Sequence, residues 1–233
     1  GEQALSRERV ALGRKLFFDR RLSLNNTFSC AMCHIPEQGF SNNELATAVG
    51  IEGRSVRRNA PTLYNVGYAT RLFHDGREDR LAQQVWAPLL AKNEMGNPAI
   101  GHVINRIKAL ADYRGLFEAA FDGQGPGMQN IGDALAAYQL TLNAADSPFD
   151  RWFFGGDEAA LSAQAKQGFA LFRGKAACNR CHLVAQDHAL FSDFAMHNTG
   201  VGYPSSRVEQ QTTLQVQLAP GVFVDVDKKL VAT

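Results

Sequence analysis

Apolar positions recur with a helical period over much of the chain. In SRERVALGRKLFFD, residues 6–19, Val10, Leu12, Leu16 and Phe17 gather near one face, and Ser6 stands where an N-cap would. REDRLAQQVWAPLL places Leu81, Val85 and Leu89 four apart, with Pro88 near the end of that helix. IGHVINRIKALADYRGLFEAAF sets Ile100, Val103, Ile107, Leu110, Phe117 and Phe121 at helical spacing. NIGDALAAYQLTL opens with Asn130 and Asp133, a capping-box-like pair, and continues with Ile131, Leu135, Tyr138 and Leu142. SAQAKQGFALFRG runs from Ser162 to a stop at Gly174. No sustained alternation marks a sheet, although TLQVQLAPGVFVDV near the end allows one short pairing.

Long loops rich in Gly, Asn and Pro separate these helices, at 35–70 and 186–210. Loops of that length inside a domain usually do a job or surround something. GQGPGMQ, residues 123–129, reads as a turn, and residues 145–162 as a link between two halves, 1–147 and 148–233. The expected fold class is therefore mainly α, with long loops and little β. Composition is that of an ordinary globular chain: 233 residues, 45% hydrophobic, 20% charged, net charge +1. That charge gives no reason to expect nucleic acid or an anionic membrane as a partner. No apolar run approaches the roughly 20 residues of a membrane span. The opening GEQALSRER contains no signal peptide and looks like a mature N-terminus from which an export signal has been removed.

All four cysteines lie in two motifs, CAMCH at 30–34 and CNRCH at 178–182. A CxxC pair alone fits a redox disulfide, and two such pairs fit a four-thiolate zinc site. A histidine directly after the second cysteine is instead the signature of covalent c-type haem. The thiols of Cys30 and Cys33, and of Cys178 and Cys181, would attach the macrocycles, and His34 and His182 would ligate iron from the proximal side. Two copies that use every cysteine favour two covalent haem c groups, with zinc as the alternative. Haem c is attached outside the bacterial cytoplasm, which implies a periplasmic protein. Phe28 and Phe40 surround the first motif, and Phe169, Phe172, Phe191 and Phe194 the second. These rings are equally compatible with ordinary core.

The sixth position on each iron separates electron carriage from catalysis. His74, His102, His188 and His197 are the histidines left over; the methionines are Met32, Met95, Met128 and Met196. Met32 lies inside its own motif and cannot reach across that haem, and His102, near a helix start, reads as a satisfied polar residue.

LGRKLFFDRRLS, SCAMCH, NAPTLYNV, LFHDGREDRLAQQVWAPLLAKNEMG and CNRCH, in that order, resemble the bacterial dihaem cytochrome c peroxidase and MauG family over nearly the whole chain. The resemblance implies two cytochrome c-like haem domains, the first peroxidatic and the second passing electrons. It makes Glu94 the distal acid, Gln84 its amide partner, Pro88 the pocket proline and Asn59 a ligand of one calcium ion between the haems. A carboxyl raised in pKa by the apolar WAPLLA neighbourhood suits the proton transfers of peroxide cleavage; a solvent-facing glutamate at a helix end is the plainer reading of Glu94 alone.

Two departures alter the expectation. Many members carry a loop histidine that caps the first iron, whereas AVGIEGRSVRRNAPT contains none, so the first haem is expected to be open to peroxide. FHDGR replaces the family's FWDGR, so His74 stands where a tryptophan relays electrons between haems; it reads as a hydrogen-bonded relay or as an inert polar residue. The family's distal ligand to the second haem comes from a segment after this one, along with the remaining calcium ligands. Met196, His197 and Tyr203 are the nearest substitutes here, unless the chain is shortened after Thr233. The leading functional expectation is a peroxidase that reduces hydrogen peroxide with electrons from a small periplasmic cytochrome c or cupredoxin. A MauG-like oxidation of a residue on a protein substrate and a non-catalytic dihaem electron carrier are the alternatives. A homodimer is left open.

Overall fold

The computed structural model of the protein describes residues 5–200 together with 213–219 and 222–227. The chain divides into two compact units, Gly1–Ala195 and Met196–Thr233. The first holds eight α-helices among its described residues: α1 (Arg7–Phe18), α2 (Leu81–Gln84), α3 (Trp86–Leu90), α4 (Ile100–Ala109), α5 (Leu116–Ala120), α6 (Met128–Gln139), α7 (Pro148–Phe153) and α8 (Ala163–Arg173). In the second, β1 (Thr213–Ala219) pairs antiparallel with β2 (Val222–Asp227), the short pairing that the tail pattern allowed. Mainly α with little β is the class observed.

Ser6 caps α1 by accepting a hydrogen bond from Arg9 N at 3.1 Å, and Leu12, Leu16 and Phe17 face inward. They meet Ile131, Ala134 and Leu135 of α6, all essentially inaccessible. The two helices approach closely because residue 13 is glycine. A Cβ there would lie 1.8 Å from the Ala134 carbonyl oxygen. Val103 and Ile107 of α4 and Phe117 of α5 complete this core.

Three helical runs differ from their sequence pattern. The 77–90 run is two helices, broken at Val85. Pro88 has no N–H to donate to the Gln84 carbonyl four residues back, and its ring crowds that carbonyl. The 100–121 run ends α4 at Ala109, makes a 3₁₀ turn at Ala111–Tyr113 and restarts after Gly115, which sits at φ 76°. A left-handed residue cannot propagate an α-helix, and glycine adopts that conformation at no steric cost. The apolar phase survives the break, since Phe117 and Phe121 are buried. Asn130 and Asp133 do not cap α6, which begins earlier, at Met128. Asn130 Nδ2 instead donates to the Gly125 carbonyl at 2.9 Å, and Gln129 donates to Asp133.

The 145–162 stretch contains the start of a helix. Ser147 and Asp150 form a reciprocal capping box, and Pro148 occupies the first turn, so α7 starts there. From Asn143 to Ala195 no residue is buried.

Candidate functional site: two histidines with matched supports

Each CxxCH curls into a single turn. In the first, Cys33 N and His34 N both donate to the Cys30 carbonyl, at 3.2 and 2.9 Å. In the second, Cys181 N and His182 N donate to the Cys178 carbonyl at 3.3 and 3.0 Å. The chain then loops back so that a backbone carbonyl meets the imidazole. His34 Nδ1 lies 3.0 Å from the carbonyl oxygens of Phe40 and Pro61. His182 Nδ1 lies 2.9 Å from that of Phe191.

A carbonyl oxygen only accepts, so Nδ1 carries the proton in both rings. That tautomer leaves the Nε2 lone pair for a metal, with the ring held in place from behind. Burial also pushes the His34 pKa down, against the pull of its two carbonyl partners, which favours the neutral ligating form. Phe40 and Phe191, which supply these carbonyls, both sit in the left-handed region, at φ 55° and 51°. A bulky side chain there is strained, so the surrounding fold holds each carbonyl in place. Sequence reasoning treated both phenylalanines as ring contacts. Their backbone role had no signal, because glycine or asparagine normally marks a positive φ.

The two motifs stand as separate donor sets, which fits two haems and does not fit one four-thiolate zinc site. Among the described residues the four thiols do not converge on one point. Burial pushes the Cys30 thiol up to about 12, the nearby Cys33 and Glu94 adding to this. Burial also pushes Cys33 up to about 11, again with Glu94 contributing. Around the second motif Phe149, Phe169, Phe172 and Phe191 pack ring against ring with centroids 5.0–6.0 Å apart, and Phe172 stands 6.1 Å from the His182 ring. That partly exposed apolar surface matches the face of a porphyrin.

Glu94 lies in the tight turn after α3. Its N–H donates to Ala91 O at 3.0 Å, and its carbonyl accepts from Ile51 N at 2.9 Å. The carboxyl is partly buried. Desolvation pushes its pKa above the ordinary glutamate value, and the Arg77 charge pulls weakly the other way. Its charge is felt by both thiols of the first motif. Gln84, the last residue of α2, is partly buried. Pro88 lies in α3 between buried Trp86 and Leu89, its carbonyl accepting from Met95 N at 3.1 Å.

His74 and Asn59 come together, His74 Nε2 donating to the Asn59 carbonyl at 3.0 Å. The Asn59 side chain is engaged too: Nδ2 donates to Asn42 O at 2.6 Å, and Oδ1 accepts from Ala60 N at 2.9 Å. Of the other sixth-ligand candidates, His102 is paired with Arg106 at 2.9 Å, and Met95 is buried in the core. Met196 is exposed, and Tyr203 lies outside the described residues.

A family profile described as Di-haem cytochrome c peroxidase matches residues 7–159, and the chain belongs to that family. It is 42% identical over 198 residues to the methylamine utilization protein MauG of Methylorubrum extorquens, covering 84% of this chain and 54% of that protein. It is 37% identical over 175 residues to the cytochrome c peroxidase Ccp of Escherichia coli, covering 75% of this chain and 37% of that one. The fold is similar to the dihaem peroxidase BthA of Burkholderia thailandensis, with a TM-score of 0.75 at 26% identity over 89% of this chain and 59% of that one. It is similar also to a MauG-like protein associated with microbial copper homeostasis, with a TM-score of 0.72 at 30% identity over 84% and 58% of the two chains. The chain thus spans about half the length of the M. extorquens relative. Among the described residues no helix is long and apolar enough to cross a membrane.

Proposed function

We propose that this chain forms the two haem sites of a periplasmic dihaem peroxidase that reduces hydrogen peroxide to water. Cys30, Cys33 and His34 would hold one haem, and Cys178, Cys181 and His182 the other, in halves divided near residue 147. When bound, the first haem supplies the redox-active iron at which peroxide is reduced, and the second passes electrons. Net conversion consumes one peroxide, two electrons and two protons and yields two waters.

The observation that carries this reading is the carboxyl of Glu94, partly desolvated and within electrostatic reach of Cys30 and Cys33. As a carboxylate, Glu94 takes the proton from the near peroxide oxygen and returns it to the leaving oxygen. Gln84, in this reading, orients peroxide or water, and Pro88 shapes the pocket wall. His74 tethers its loop to Asn59 and, through the backbone, to Pro61, whose carbonyl supports His34. The calcium ion would take from Asn59 at most one of its roughly six to eight oxygens. A small cytochrome c or cupredoxin would be the electron donor.

The 48–62 loop without a capping histidine, with the similarity to MauG, favours a second reading in which the oxidising equivalents are used on a residue of a partner protein. Resting-state EPR of the haem-loaded protein followed by hydrogen peroxide tests both. A high-spin ferric signal that peroxide consumes is expected. Two low-spin irons that ignore peroxide would leave only an electron carrier. Rapid return of the spectrum with a reduced small cytochrome supports the peroxidase; a long-lived oxidised state that only a protein substrate discharges supports the second reading.

A further inference from the structure

Residues 48–56 form a tight hairpin. Val49 and Ser55 make an antiparallel bridge, Val56 N donates to Ala48 O at 3.0 Å, and Gly50 N donates to Arg54 O at 2.8 Å. This strap lies directly on the segment that carries Glu94. Ile51 N donates to Glu94 O at 2.9 Å, Asn93 Nδ2 donates to Ser55 O at 3.1 Å, and Arg54 Nη1 donates to Lys92 O at 3.3 Å.

The contact is closest at Gly50. A Cβ there would lie 2.1 Å from the Asn93 carbonyl oxygen and 2.7 Å from Glu94 Cα. Both are backbone atoms, so no rotamer change relieves the overlap. Nor can the Glu94 turn easily retreat. Met95 N is bonded to Pro88 O, Met95 O accepts from Leu24 N, and Ile51 is wedged against Gly96, where a Cβ would lie 2.3 Å from its Cδ1. Gly50 has an ordinary negative φ of −92°, so its backbone does not require glycine; the neighbouring chain does.

We propose that Gly50 is the positioning residue of Glu94: the absence of a side chain at 50 lets the strap seat the Glu94 backbone, and so sets where its carboxyl sits. This rests on the catalytic reading of Glu94. A displacement of about 1 Å in a catalytic group costs on the order of 100-fold in rate. Gly50→Ala should therefore lower peroxide turnover by about 10- to 100-fold with haem content intact. It should also move the pH at which the Glu94 carboxyl titrates, read as the infrared carboxyl band that Glu94→Gln abolishes.

Gly53→Ala is the control. Gly53 is in the same strap at φ 73°, so alanine strains the hairpin, but nothing lies within 4 Å of a Cβ there. Its turnover and carboxyl titration should stay near wild type. The double variant Gly50→Ala/Glu94→Gln should lose no more than Glu94→Gln alone, because coupled residues are not additive. Should Gly50→Ala fail to fold, Asn93→Ala, which removes one strap bond without adding bulk, should move the same titration by a smaller amount. Wild-type titration in Gly50→Ala, or in Asn93→Ala where Gly50→Ala does not fold, overturns the proposal. So do additive losses in the double variant, or an equal shift in Gly53→Ala. Unchanged turnover in Glu94→Gln would instead remove the catalytic reading itself.

Discussion

The two halves of Gly1–Ala195 carry the same motif in different settings. Residues 5–142 bury a continuous core of Leu16, Phe17, Ile107, Phe117, Ile131 and Leu135, and Cys30 and Cys33 pack on its edge. Residues 143–195 bury nothing, and their aromatic rings pack mainly on one another. His34 is held by two carbonyls, and the thiols of its motif feel the charge of Glu94; His182 is held by one. The first half has a protein-built wall on which groups can be placed to a fraction of an ångström. The second offers a ligand and an apolar surface, enough to hold and insulate a redox group. The proposed division of labour between reaction site and electron carrier fits that difference in packing, since catalysis needs fixed geometry more than electron transfer does.

The largest expected effect tests the acid. Glu94→Gln should slow peroxide turnover by about 10²- to 10⁴-fold, the range for losing a general acid–base, with unchanged haem content by pyridine haemochrome. No glutamate change in 143–195 should do the same; if Glu158→Gln were equally damaging, the assignment of chemistry to the first half would collapse.

Core truncation should separate the halves next. Leu135→Ala should cost about 2–5 kcal/mol in denaturant unfolding whether or not haem is attached. Phe169→Ala should cost far less in haem-free protein than in the loaded form, because its ring gains its cover from the cofactor. Equal costs in the two forms would mean that the second half makes its own core.

Turnover should also depend on pH in a direction set by Glu94. Desolvation raises its pKa, so the carboxylate needed to accept the first proton persists only at higher pH than for a free glutamate. As pH falls through that raised value, turnover should drop along a limb that Glu94→Gln removes. A limb at or below the ordinary glutamate pKa would contradict the burial of this side chain. The smallest effect belongs to the second half: Ser147→Ala should cost about 1 kcal/mol by removing the α7 capping box. Thermal unfolding should show it as a loss confined to the α7–α8 region.

The two CxxCH motifs were legible in the sequence, though not the carbonyls that support their histidines. Leu16, Phe17, Ile131 and Leu135 could be assigned to the core from period alone, because one stripe of a helix must find cover. Pro88 was visible, yet the break it causes was not, since a proline near a helix end is compatible with either outcome. Asn130 and Asp133 had the right spacing for a cap, but Gly127, three residues before Asn130, took the start of α6.

The sequence by itself determined the chemistry that attaches to this chain. Two CxxCH motifs fix thiols and imidazole within one turn of backbone, and local geometry is enough to define such a unit. Tertiary structure alone decided the second carbonyl behind His34, the reach of the Glu94 charge to the first motif and the seat that Gly50 leaves for the Glu94 backbone. Each of these depends on a backbone atom from a distant segment: Pro61 O behind His34, Ile51 N on Glu94 O, Asn93 O against Gly50. Every residue type carries the same backbone groups, so their placement leaves almost no trace in the identity of the residues that supply them.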